Sequence, residues 1–171
     1  MKKIFLIGAL FSVLSFSSNV NAQAVQKGTK IVDVFYGFPD LYGKFITAFS
    51  GEKTKSFIAG GKFEYLVSEN IGLGVTLGYG NTIVGSSSLE RMRAMADFNL
   101  HYAEFDHFDF YWMLGAGYAS IKAVGTNGTP FPFALRTATG GRYFFTNNLG
   151  AHFEIGLGSG ALMQAGLSLK F

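Results

Sequence analysis

From about residue 28 to its end the chain alternates between oily and polar positions with a period of two. That period is the mark of a β-strand whose two faces meet different surroundings. It predicts eight strands, over 28–37, 57–67, 71–84, 89–103, 108–122, 132–145, 149–158 and 160–171. The last shows the pattern plainly: Ala161, Met163, Ala165, Leu167, Leu169 and Phe171 share one face, and Leu162, Gln164, Gly166, Ser168 and Lys170 the other.

Charge segregates with the same parity. Asp33, Lys62, Glu64, Arg91, Arg93, Asp97, Asp109, Arg136, Arg142, Glu154 and Lys170 all fall on the polar faces, and His152 joins them. Setting aside Lys30 at the start of the first strand, only Glu90 and Lys122 fall on apolar faces, both toward the same end of the strands. A water-soluble sandwich or barrel would turn its apolar face inward and scatter charge outside. A transmembrane barrel inverts this, because Arg or Lys facing lipid at mid-depth costs about 2–4 kcal/mol. Six basic and five acidic side chains nearly balance, the composition an internal network of ion pairs needs. The row Gly72, Gly74, Thr76, Gly78 and Gly80 leaves room for long arginines, since eight strands enclose little more than the width of their own side chains. The fold class expected is all-β: an eight-stranded, antiparallel, up-and-down transmembrane β-barrel, its even strand number that of bacterial single-chain barrels.

The joints set the orientation. Those after the second, fourth and sixth strands are the tight "SEN", "EFDH" and "TNN". Those after the first and fifth are longer, giving loops 38–56 and 123–131, while those after the third and seventh are short. Short turns belong on the periplasmic side and longer loops outside, which places both termini in the periplasm. Aromatic residues gather near the tight turns: Tyr65, Tyr102, Phe108, Phe110, Trp112, Tyr143 and Phe145 form one expected girdle, which Phe171 completes. Tyr36, Phe57, Tyr79, Tyr118 and Phe133 form the other.

Composition agrees with a membrane solvent. At 49% hydrophobic residues and a mean hydropathy of +0.26 the chain is oily for a domain of this size, yet no stretch after residue 22 approaches the roughly 18 apolar residues of a helical span. Residues 1–22 read as a cleaved secretory signal peptide: "MKK", an apolar run, then "VNA" before Gln23, with a cut after Ala24 also open. Residues 23–171 form the single barrel domain. Without Lys2 and Lys3, 12 basic residues face 11 acidic ones, so the high isoelectric point carries no nucleic-acid signal. The absence of cysteine removes disulfides and thiolate metal sites.

These residues resemble the small outer-membrane barrels typified by the OmpA transmembrane domain and OmpX, over residues 28–171. The resemblance implies that Met163, Ala165, Leu167, Leu169 and Phe171 form the C-terminal signal read by the barrel-assembly machinery. Ala165 stands where an aromatic is frequent. Some such barrels are lipid A-modifying enzymes, whose His, Ser and acid stand on a lipid-accessible face. Here His152 and Glu154 lie on the polar face with no Ser in "HFE", and read as a buried polar pair rather than catalysts. His101, His107 and His152 have no metal-ligand spacing, and "GLGVTLGYG" is followed by no helix that would make it a phosphate loop. No cofactor is expected. The reading favoured is a structural or surface-interaction barrel with a filled polar lumen, in contact with outer-membrane lipid and lipopolysaccharide and with an extracellular ligand or surface partner through its loops. The alternative is a narrow, weakly anion-selective channel lined by Arg91, Arg93, Arg136 and Arg142.

Overall fold

The computed structural model describes residues 24–40, 48, 54–84, 87–123 and 132–171. Eight strands follow one another: β1 (Lys30–Asp40), β2 (Thr54–Leu66), β3 (Ile71–Val84), β4 (Ser87–Glu104), β5 (Phe108–Ala123), β6 (Phe133–Phe144), β7 (Leu149–Gly158) and β8 (Ala161–Lys170). Each pairs antiparallel with the next, and β8 returns to β1, so the sheet closes and leaves no edge. The closing seam runs from Ile31 opposite Lys170 to Asp40 opposite Ala161.

The strand ends depart from the alternation where neighbours or turns decide them. β1 runs on to Asp40 because β8 supplies its ladder there, and β2 starts at Thr54 because β3 extends to Val84. At the other end β1 starts late: Lys27 and Gly28 form a turn in which Gly28 adopts φ +90°, a region closed to most side chains. Gly158 and Gly160 play the same part between β7 and β8. A bulge at Tyr102 shifts the β4–β5 register between His101 and Ala103. The tight turns are latched to adjacent strands, for Asn70 exchanges hydrogen bonds with His101 and Asn148 with Lys170.

Burial alternates as the period requires, but the barrel is inverted relative to a soluble protein. Val75, Leu77, Phe98, Leu114, Leu135, Ile155, Leu157 and Leu167 point outward and are exposed. Glu90 and Lys122 face each other across β4 and β5 near the ends of those strands opposite the tight turns, and the other exposed lysines of the wall, Lys30 and Lys55, also stand at strand ends. At 18 and 16 residues these strands are longer than the ~9–11 that a hydrocarbon core would require, and the pair lies toward their far ends.

The lumen is not uniformly polar. Ile31, Phe35, Ile58, Leu66, Met95, Met113 and Phe144 also point inward and are buried. Period two tells one face from the other, but an interior position can be filled by any side chain that fits. Ala161, whose parity puts it with Met163 on the outer face, is wholly buried, next to the space above Gly37. The positive-φ turn just before it rotates the first residue of β8 inward.

Candidate functional site: the filled lumen

Two ionic clusters occupy the lumen, one above the other. The lower is built on Arg142 of β6, which donates to Asp33 of β1 at 3.0 Å, Glu64 of β2 at 2.6 Å and Asp109 of β5 at 2.9 Å. One guanidinium thus joins four strands across the barrel. His101 of β4 lies against two of the same acids, Nδ1 at 2.6 Å from Asp109 and Nε2 at 2.9 Å from Glu64, a geometry in which the ring can donate from both nitrogens. His152 reaches the Ser168 hydroxyl at 3.1 Å and lies 3.8 Å from Asp33.

The upper cluster is centred on Glu154 of β7. It accepts from Lys62, from Arg136 through Nε at 3.2 Å and Nη2 at 2.9 Å, from Tyr111 at 3.1 Å and from Gln164 at 2.7 Å. Arg136 also donates to the carbonyl of Ala161 at 2.8 Å. Tyr111 couples the clusters: its ring lies 4.3 Å from the Arg142 guanidinium and 5.5 Å from the Lys62 ammonium, while its hydroxyl serves Glu154. Toward the long-loop end Asp97 accepts from Thr76, Arg91 donates to Thr82 at 3.1 Å, and Arg93 crosses the lumen to the carbonyl of Ser159, passing 5.6 Å from the ring of Phe35. At the opposite end Lys170 donates to the carbonyl of Ala24 and lies 4.5 Å from the ring of Phe144.

Glycines make this crowding possible. A Cβ on Gly72 would stand 1.9 Å from Glu64 Oε1, one on Gly78 2.8 Å from Arg93 Nε, and one on Gly140 2.8 Å from the Tyr111 ring.

Of the lumen residues expected from parity, Asp33, Lys62, Glu64, Arg93, Asp97, Arg136, Arg142, His152 and Glu154 are buried, and Arg91 and Lys170 are half-buried near the two mouths. They do not form one network. His152 and Glu154, expected as a pair, belong to different clusters: they are inward neighbours on β7, and strand geometry keeps such residues about 7 Å apart, leaving each to bond across the barrel. Asp109 was legible as an inward charge. The parts played by His101, Tyr111, Thr76, Gln164 and Ser168 were not, because parity says which way a side chain points and not what it meets. Ser168, His152 and Asp33 do come together, but the same His nitrogen faces both partners and all three are sealed inside, so this is no hydrolytic arrangement. The remaining histidine, His107, lies in the turn between β4 and β5, against Tyr143.

On the outer wall Tyr65, Tyr102, Phe108, Trp112, Tyr143 and Phe145 are exposed and Phe110 half-exposed, in a band by the tight turns. Phe108 packs 4.7 Å from Tyr143 and stacks on Phe110 at 6.0 Å. At the opposite end Tyr36 stacks on Phe57 at 6.0 Å, and Tyr79 packs tilted against Phe57 at 6.4 Å. Ala165, Leu167 and Phe171 point outward; Met163 and Leu169, on the same face, are half-covered by neighbouring strands.

No protein-family model matches the sequence, and no curated protein matches it. Solved structures do. The N-terminal β-barrel domain of OprF from Pseudomonas aeruginosa superposes with a TM-score of 0.59 at 14% identity, covering 86% of this chain and all of that domain. OprG from the same organism gives 0.54 at 10% identity over 85% of this chain and 97% of its own. The attachment invasion locus protein Ail of Yersinia pestis gives 0.50 at 11% over 85% and 99%. The chain therefore has the fold of the small outer-membrane β-barrels.

Proposed function

We propose that this protein is a bacterial outer-membrane barrel with a structural or surface-interaction role: a sealed cylinder carrying loops 38–56 and 123–131 on the outside of the cell. Both termini and the tight turns then lie in the periplasm, the wall meets outer-membrane lipid, and the loops meet lipopolysaccharide and an extracellular ligand or surface partner. The barrel-assembly machinery reads the last strand during insertion.

The observation that carries this reading is the buried ionic brace. Arg136 and Arg142, two of the largest side chains in the lumen, are each about 1% exposed and bound to strands across the barrel. A continuous water path along the axis would have to break these pairs, and separating a buried pair costs about 3–5 kcal/mol. The apolar wall supports the membrane placement, and the likeness to OprF, OprG and Ail supports an outer membrane in particular.

One observation favours the channel as the second reading. The outer half of the lumen holds Arg91, Arg93 and Arg136 against Asp97 and Glu154, an excess of positive charge that would bias any passage toward anions. Planar bilayers separate the two. The refolded barrel is expected to be electrically silent, and steady anion-selective current, reduced in Arg93→Ala, would replace the structural reading with the channel.

A further inference from the structure

The ionic layer of Asp33, Glu64 and Arg142 has an apolar layer directly beneath it. On β1 Ile31 lies below Asp33, on β2 Leu66 below Glu64, and on β6 Phe144 below Arg142, in each case one inward position along the strand. That spacing is about 7 Å. Three strands supply this floor, and three side chains do not span a barrel. The gap is filled from outside the sheet: Ala24 and Val25, 0% and 1% exposed, pack with Ile31, Leu66 and Phe144 in one cluster.

The segment is turned into that position by specific bonds. Gly28, at positive φ, donates to the carbonyl of Leu66 at 2.9 Å, Thr29 donates to the carbonyl of Gln26 at 2.9 Å, and the Thr29 hydroxyl accepts from the amide of Gln26 at 3.1 Å. The chain reverses and points back under the barrel. Lys170, near the end of β8, then donates to the Ala24 carbonyl while its ammonium faces the ring of Phe144. A charged donor on the carbonyl of a wholly buried residue makes this contact more than incidental packing.

We propose that residues 24–29 are an intramolecular cork, which closes the mouth on the side of the termini and keeps water from the Arg142 cluster. The cork joins the first described residues to the last strand, so it can seat only after β1 and β8 have met, and a seated cork reports a completed barrel. It also bears on the two processing sites. A chain starting at Val25 would lack the carbonyl that Lys170 binds and would place an ammonium beside that lysine, so the cork requires cleavage ahead of Ala24. The proposal takes from the previous section only that the lumen is filled.

Because the chain has no cysteine, single-cysteine labelling tests the cork directly. In the folded, exported protein, Ala24→Cys should react with a membrane-impermeant maleimide about 100-fold more slowly than Lys27→Cys, as a site that must open before it reacts. In urea the two should react alike. Adding Lys170→Met, which keeps the stem and removes the donor, should speed Ala24→Cys about tenfold without altering Lys27→Cys. Equal rates at the two cysteines in the folded barrel would overturn the cork, as would a mature chain whose N-terminal sequence begins at Val25. If Ala24→Cys fails to fold, Val25→Cys carries the same test. A free cork in an electrically silent barrel would sink this inference alone, whereas steady current through a barrel whose cysteine is protected would sink the filled lumen and, with it, the closure of this mouth.

Discussion

Arg142 satisfies three carboxylates that no other arginine or lysine reaches among the described residues, leaving the histidines His101 and His152 as their remaining basic neighbours. Replacing it by Met should therefore leave Asp33, Glu64 and Asp109 facing one another in a dry interior, at a cost of about 3–5 kcal/mol. The urea midpoint of the barrel in lipid vesicles measures this, and a loss below about 1 kcal/mol would mean that water already reaches the cluster. Gly72→Ala works by a different route. Its Cβ claims the place of Glu64 Oε1 against a strand that cannot move, so Glu64 must leave Arg142 or His101, and overpacking of this kind costs about 1–3 kcal/mol. The sequence shows that position 72 faces inward among small residues. That Glu64 is the side chain it shelters depends on the β2–β3 register, in which Glu64 lies opposite Gly74, one inward position from Gly72.

At the scale of the strand, the two faces are two solvents. Leu77 of β3 is 61% exposed, so in water Leu77→Arg would be harmless or welcome. Facing hydrocarbon, the same change should cost about 2–4 kcal/mol, while Lys122→Ala at the rim should change stability by less than 1 kcal/mol. Unfolding from vesicles gives both numbers, and equal small effects would mean that the apolar wall does not meet lipid. The alternation carried the existence, number and facing of all eight strands, since parity is a local property of the backbone. It did not carry the bulge at Tyr102, whose outward turn lets the hydroxyl meet that of Thr139 on β6 at 3.0 Å. A bulge is one unpaired residue in a register, and register belongs to two strands at once.

For the whole molecule, the closed ladder and the ionic brace are built from residues of the eight strands. Residues 41–47, 49–53 and 124–131 lie outside the described residues, and the expected loops 38–56 and 123–131 fall largely on them. Deleting 44–54 should leave the heat-modifiable mobility of the folded barrel intact while weakening its binding to lipopolysaccharide-containing vesicles relative to phospholipid vesicles. Loss of the folded form on an electrophoretic gel would place that segment within the structure rather than upon it. The expected signal peptide, residues 1–22, also lies outside the described residues.

By itself the sequence determined which strand faces point outward and which point into the lumen, where the chain turns, and that positive and negative charge must meet inside. These follow from a two-residue period and from the cost of exposing charge to hydrocarbon, neither of which needs a partner strand to be identified. Only the tertiary structure decided that Arg142 serves three acids, that His152 and Glu154 part company, and that Ala24 and Val25 complete the floor. Such contacts join residues as much as 146 positions apart. They exist because β8 closes on β1 in one register, and no local pattern records which residues that closure brings face to face.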